Sequence, residues 1–226
     1  GAYGLGRDPG RASSRAKVSG AAPPTGVPPQ LADWDDYNQL LTALMRAGTI
    51  ESVKEIWWDI RPHPDFGTVE LRMCDGITTL RETATVAAIA QAMVTKIDEM
   101  VDAGETFELL PDWVLRENKW RASRWGLDAE LIRDRLGATQ PLREQLREVI
   151  DFLTPTAEKL GCVEELRHAL TMAEEGSSYL RQRAVVAAGG SLVDVVKELV
   201  KETDASFVSY DVLGAVQAVE LDGSAP

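Results

Sequence analysis

At 226 residues and 44% apolar content the chain can bury one large core or two small ones, which excludes a disordered or fibrous polypeptide. A formal net charge of -12 excludes the basic surface that nonspecific binding to nucleic acid or to an anionic membrane requires, while a local group of arginines can still receive a nucleotide. Only Cys74 and Cys162 are present, without C-x-x-C or metal-ligand spacing, and neither a membrane-length apolar run nor a basic-then-apolar leader occurs, so a reduced, cytoplasmic setting is expected.

Residues 1–30 are rich in Gly, Pro, Ser and Arg. Pro23, Pro24, Pro28 and Pro29 exclude regular helix there, and the pattern predicts an ordered loop followed by an extended connector. Gly4 and Gly6 make no dinucleotide fingerprint, because no strand is predicted before them and no third glycine stands at the required spacing; there is no Walker A sequence either. By composition Arg7, Arg11 and Arg15 read as part of a solvated loop. Over 31–47, Trp34, Tyr37, Leu40, Leu41 and Leu44 follow helical spacing, and Gly48 stops the helix.

Residues 57–75 carry the only convincing β-signal, two strands joined by a Pro- and Gly-bearing loop, with 57–61 expected to pair antiparallel with 68–74. Alternation puts Trp58, Ile60, Val69, Leu71 and Met73 on one apolar face, expected to be buried, and Asp59, Arg61, Thr68, Glu70 and Arg72 on the other. Two acids beside two arginines admit two readings. In one they are cross-strand ion pairs on a solvated face, which spacing alone favours. In the other a carboxylate oxygen holds a divalent cation while guanidinium forks clamp a phosphate or carboxylate, a job that the spacing Glu-x-Arg suits. Cys74 shares the strand parity of Glu70 and Arg72, but with His63 and His168 as the basic partners a thiol nucleophile is the weaker reading.

Thr79-Leu80-Arg81-Glu82 has the pattern of a capping box, and the helix that follows through Val101 is apolar on nearly every side between Ala84 and Val94, which predicts burial against the apolar face of the hairpin. Over 112–125 a helix carries Asn118, Arg121 and Arg124 at three-residue steps, with Trp113, Trp120 and Trp125 as packing or stacking surfaces. These arginines either pair with Glu117 or Asp128 or face a triphosphate. Leu142, Leu146, Val149, Ile150, Leu153, Ala157 and Leu160 trace one face of a further helix that Pro155 should kink or break near Thr154. Three shorter helices follow over 163–173, 178–188 and 191–202, the last begun by Ser191 with Asp194 at its third position, and residues 221–226 should fray.

The run 57–75 resembles the signature of the carboxylate-amine ligases of glutamate-cysteine ligase type 2, and three further stretches are similar to the same family in the same order: 6–15 (Gly-Arg-Asp-Pro-Gly-Arg-Ala-Ser-Ser-Arg), 117–128 (Glu-Asn-Lys-Trp-Arg-Ala-Ser-Arg-Trp-Gly-Leu-Asp) and Arg181-Gln182-Arg183. The resemblance implies an α+β fold, with the hairpin as a partial sheet of a glutamine-synthetase-like catalytic domain over 1–110, backed by a predominantly helical subdomain over 111–226. It implies an ATP-dependent ligase that uses Mg2+, with glutamate and cysteine or a related amine as substrates joined through an acyl phosphate. By that resemblance Glu70 is a magnesium ligand, Arg72 and Arg15 contact the reactants, and Arg7, Asn118, Arg121 and Arg124 attend the nucleotide. Family members also carry an N-terminal half with an acidic strand that supplies further metal ligands, so the chain corresponds to a C-terminal piece whose partner is that half and which has little turnover alone. Assembly into a homo-oligomer is compatible with the sequence. The alternative is a helical interaction or regulatory module that shares the ligase fold and does no chemistry.

Overall fold

The computed structural model describes residues 1–4, 6–18 and 24–209, and the fold is α+β. In chain order its elements are α1 (Arg15–Val18), β1 (Thr25–Gly26), α2 (Trp34–Arg46), β2 (Trp57–Trp58), β3 (Ile60–His63), β4 (Thr68–Leu71), α3 (Leu80–Asp102), α4 (Asp112–Trp125), β5 (Glu130–Ile132), β6 (Thr139–Pro141), α5 (Leu142–Leu160), α6 (Val163–Glu175), α7 (Ser178–Ala187) and α8 (Leu192–Ser209). They form two compact units that interleave in sequence, one of Gly1–Gly76 with Glu108–Leu142 and one of Ile77–Phe107 with Arg143–Pro226, where the sequence expectation has a single boundary at residue 110.

In the first unit α2 starts at Asp33, whose side chain accepts from the Asp36 amide at 2.9 Å, and it turns Tyr37 and Leu41 onto Ile50, Ile56 and Trp58 to make a small core. Trp57 and Trp58 do not belong to the predicted hairpin. They pair in parallel with Thr25 and Gly26, and Asp59 is the point where the chain changes partner: its amide donates to the Gly26 carbonyl at 2.7 Å and its carbonyl accepts from Arg72 and Met73 at 2.8 and 3.2 Å. The antiparallel hairpin is β3 with β4, in the register Ile60↔Leu71, Arg61↔Glu70, Pro62↔Val69 and His63↔Thr68.

The parity of this hairpin is as expected, but the buried face is the opposite one. Asp59 and Arg61 are buried, whereas Ile60 and Val69 are 41% and 49% exposed and Leu71 is half-buried. The reason is local satisfaction of charge. The Arg61 Nη1 donates to the carbonyls of Val53, Lys54 and Ile56 at 3.4, 3.1 and 2.8 Å and Nη2 pairs with Glu70, so much of the cost of burying the guanidinium is offset. The same unit holds a second antiparallel hairpin, β5 with β6, whose turn is organised by the Asp134 carboxylate accepting from the amides of Leu136 and Ala138 at 2.8 and 3.0 Å.

In the second unit Thr79 caps α3 by accepting from the Glu82 amide at 3.2 Å, yet Glu82 does not close the box; its carboxylate turns to Arg181, Oε1 lying 2.9 Å from Nη1. The buried stripe of α3 is Ala88 and Ala92, set against Ile150, Leu153 and Ala157 of α5 and Leu166 and Ala169 of α6. Its partners are therefore helices of its own unit, and the all-round burial expected of it does not occur, since Val94, Ile97 and Val101 are exposed. Pro155 does not break α5. Asp151, whose carbonyl loses its amide partner there, and Pro155 are both exposed residues, so water has access to replace the missing bond. Ser191 starts α8 through a reciprocal bond with Asp194, and residues 221–226 lie outside the described residues.

Candidate active site

Antiparallel register places Arg61 opposite Glu70, and the two-residue step along β4 places Arg72 on the same side. The Glu70 carboxylate is thereby shared: Oε2 lies 2.5 Å from Arg61 Nη2 and Oε1 lies 2.7 Å from Arg72 Nη2. Arg15, from α1, donates to the Arg72 carbonyl, which brings a third guanidinium to the end of β4. The remaining acid of this face, Asp59, is neutralised by Lys119 of α4, whose Nζ donates to both carboxylate oxygens at 2.8 and 2.6 Å. Three guanidiniums thus gather at one acid, Glu70, which two of them engage, and the face favours an anion. The first-unit core lies directly behind it: burial pushes the Tyr37 hydroxyl above its ordinary pKa, an effect the nearby Arg61 partly offsets.

Of the residues expected in a site, Arg15, Glu70 and Arg72 come together. Asn118 and Arg121 are committed elsewhere. The Asn118 amide holds Ile132 of β5 at both ends, Nδ2 donating to its carbonyl and Oδ1 accepting from its amide, each at 2.8 Å. Arg121 pairs with Glu117 at 2.8 Å and donates to the Glu130 carbonyl at 3.0 Å. Arg124 lies along the loop at Gly10, where a Cβ would come within 2.8 Å of its Nη1; with φ at 70° that position suits glycine twice over. Arg7 is exposed beside a bridge between its own backbone and that of Gly4. Arg61, expected on this face as one of its two arginines, takes part in it, and so does Lys119, to which the sequence pattern assigned no role in a site. A signal for Lys119 is present in the sequence, since it stands on α4 next to Trp120 and one turn from Arg116.

The arrangement fits an anionic reactant and does not fit a magnesium ion by itself. Among the described residues no three of His, Cys, Asp and Glu gather into a metal cluster, and both Glu70 oxygens are engaged by arginines. Nor does it activate a thiol: burial pushes Cys74 above the ordinary thiol pKa, Arg15 lowers it and Asp75 raises it further, with a net upward shift. Arg181 of the second unit is structural in the same sense. It joins Glu82 to Glu202, with Nη1 on Glu82 at 2.9 Å and Nε on Glu202 at 2.9 Å, and so ties α7 to α3 and α8.

Comparison with known proteins matches residues 3–198 to glutamate-cysteine ligase family 2. A protein of Thermobifida fusca provisionally named glutamate–cysteine ligase 2 is 51% identical over 87% of this chain and 49% of its own length. One from Frankia casuarinae, provisionally named glutamate–cysteine ligase 2-1, is 46% identical over 88% of this chain and 53% of its own length. A third, from Paenarthrobacter aurescens and provisionally named glutamate–cysteine ligase 2-2, is 41% identical over 88% and 52%. The chain spans about half the length of these curated relatives.

Proposed function

Because the chain belongs to glutamate-cysteine ligase family 2, we propose that it supplies the C-terminal half of an ATP-dependent carboxylate-amine ligase that joins glutamate to cysteine or a related amine. In this reading the γ-phosphoryl group of ATP passes to the side-chain carboxylate of glutamate, the amine nitrogen attacks the resulting acyl phosphate, and phosphate leaves. No protein nucleophile is needed, which agrees with the raised pKa of Cys74. The chemistry needs positive groups placed where charge accumulates. The observation that carries the proposal is the Glu70 carboxylate suspended between Arg61 and Arg72 with Arg15 beside them.

Arg72 and Arg15 orient and neutralise the anionic reactants, and Arg61, held by three carbonyls, keeps Glu70 in place. An incoming carboxylate or phosphate competes with Glu70 for Arg72. ATP brings the transferable phosphoryl group; the magnesium that accompanies it finds no complete ligand set among the described residues, and Glu70 can serve as one ligand only once released from its arginines. A glutamine-synthetase-like sheet containing β3 and β4, completion of the site by the other half of the enzyme, and cytoplasmic location belong to the same proposal. The non-catalytic module is the second reading, favoured by the engagement of both Glu70 oxygens.

The test is ADP release by the intact protein, this chain together with the remaining half, with glutamate and cysteine both present and with each omitted. Release that requires both substrates is expected, with little from the chain alone, and Arg72→Lys should lower kcat/KM about tenfold or more because the planar fork is lost. Absence of substrate-dependent ADP release from the intact protein overturns the ligase reading in favour of the module.

A further inference from the structure

Trp57 shares the strand parity of Asp59 and Arg61, and its ring lies on the arginine side of the hairpin: the Arg72 guanidinium carbon is 5.9 Å from the ring centroid. The residue is anchored from two directions. Its backbone amide donates to the Pro24 carbonyl at 3.0 Å where β2 pairs with β1, and its Nε1 donates to the Lys54 carbonyl at 3.3 Å. Part of the ring stays open, since Trp57 is 53% exposed.

Arg72 itself is held at its main chain, the amide donating to the Asp59 carbonyl at 2.8 Å and the carbonyl accepting from Arg15. Its guanidinium has less support. Nη2 meets Glu70 Oε1 at 2.7 Å, and the buried Nε has no hydrogen-bond partner among the described residues. An anion that displaces Glu70 therefore removes the carboxylate and leaves the Trp57 ring as the contact that still holds the guanidinium. We infer that Trp57 is a positioning residue for Arg72, keeping the guanidinium in place while an anionic reactant takes over from Glu70. A ring suits this task where a second carboxylate would not. It attracts the cation without occupying an N–H donor, so the planar fork stays available, and it brings no negative charge to repel the incoming anion. The contact stands at the outer end of the roughly 6 Å range of such attraction, so its effect is modest. Placement of Arg72 for an anion follows from this geometry; that the anion is glutamate or a phosphoryl group in transfer rests on the ligase reading.

The experiment is calorimetric titration of this chain with inorganic phosphate, for wild type, Trp57→Leu, Trp57→Phe and Arg72→Lys, with circular dichroism to verify the fold of each. Saturable binding to wild type is expected, and Arg72→Lys should weaken it, which locates the phosphate. Trp57→Leu should weaken it about three- to tenfold, whereas Trp57→Phe, which keeps a ring, should stay within about twofold of wild type. In proton NMR of the arginine side chains the Trp57 ring current should displace the Arg72 signal; the displacement should persist with phosphate bound and vanish in Trp57→Leu. Equal affinity of wild type and folded Trp57→Leu overturns the inference, as does a loss in Trp57→Phe as large as that in Trp57→Leu. So does failure of folded wild type to bind phosphate, binding untouched by Arg72→Lys, or an Arg72 displacement that disappears once phosphate is bound. In the intact protein Trp57→Leu should raise the KM for glutamate more than it lowers kcat. Phosphate binding that depends on Trp57, without substrate-dependent ADP release from the intact protein, would sink the ligase reading and leave this inference standing. ADP release with a glutamate KM indifferent to Trp57→Leu would do the reverse.

Discussion

Glu70 is the residue on which stability and the proposed chemistry meet. Arg61 has a side chain only 7% exposed, and its charge is compensated by one carboxylate, that of Glu70. Glu70→Gln leaves that guanidinium with three neutral carbonyls and no counter-charge. It should therefore lower stability by about 1–3 kcal/mol, discounted from a fully buried pair because Glu70 itself is partly exposed. A thermal melt of wild type and variant checks this: an unchanged Tm alongside lost activity would mean that Glu70 acts purely on the reactants and contributes nothing to holding Arg61. Cys74 and Tyr37 give a second prediction. Both hold their protons more firmly when folded than when unfolded, through burial, so each contribution is complete below the group's ordinary value, 9.0 for the thiol and 10.0 for the phenol, and is lost as pH rises past that value through the raised folded one. Tm should fall on the alkaline side, and the fall should be shallower in Cys74→Ala with Tyr37→Phe; curves of equal slope would place the alkaline loss elsewhere.

At the scale of elements, α4 shows how a polar stripe that reads as a ligand site is used by the fold. Asn118 satisfies both backbone groups of Ile132, a residue 5% exposed, so Asn118→Ala leaves a buried amide and carbonyl without partners. A cost of about 1–3 kcal/mol is expected, with faster hydrogen exchange at β5 as the local signature; an unchanged exchange rate there would contradict the pinning role. Helices were legible in the sequence where a start signal is local, as at Thr79 and Ser191. The parity of the hairpin was legible too, since placing Glu70 and Arg72 on one side needed only alternation, while the loss of Trp57 and Trp58 to β1 was not. What alternation does not contain is which of its two faces is covered. That was decided by the carbonyls of Val53, Lys54 and Ile56, which lie outside the strands and make burial of Arg61 affordable in free energy. Strands of two or three residues, β1, β5 and β6, are too short to leave a period. At Pro155 the helix continues unbroken, with Pro155 and Asp151 both exposed residues.

For the molecule as a whole, the consequence of the inverted hairpin is apolar surface on a strongly acidic chain. Trp57, Ile60, Phe66, Val69 and Met73 are all exposed in one short segment, and on α8 Val193, Val196, Val200 and Phe207 are exposed at helical spacing. Burying such patches against another molecule is favourable at roughly 25 cal/mol per Å2 of apolar surface, and what opposes it is the mutual repulsion of chains that each carry a formal charge of -12. That repulsion weakens as pH approaches the sequence pI of about 4.7, whereas the apolar term does not change. Self-association of the 226-residue chain should therefore rise as pH falls from 7.5 toward 5.5, and added salt should promote it at the higher pH by screening the same charges. Sedimentation velocity across protein concentrations measures this directly. Replacing Ile60 and Val69 together by Thr, a change compatible with strand geometry, should lower the association at pH 5.5, while Leu136→Thr, at a residue 96% exposed in the turn between β5 and β6, should not. If the hairpin variant associates as strongly as wild type and replacement of Val196 and Val200 by Thr abolishes association, then α8 carries the contact; if neither change matters, apolar surface is not what brings the chains together.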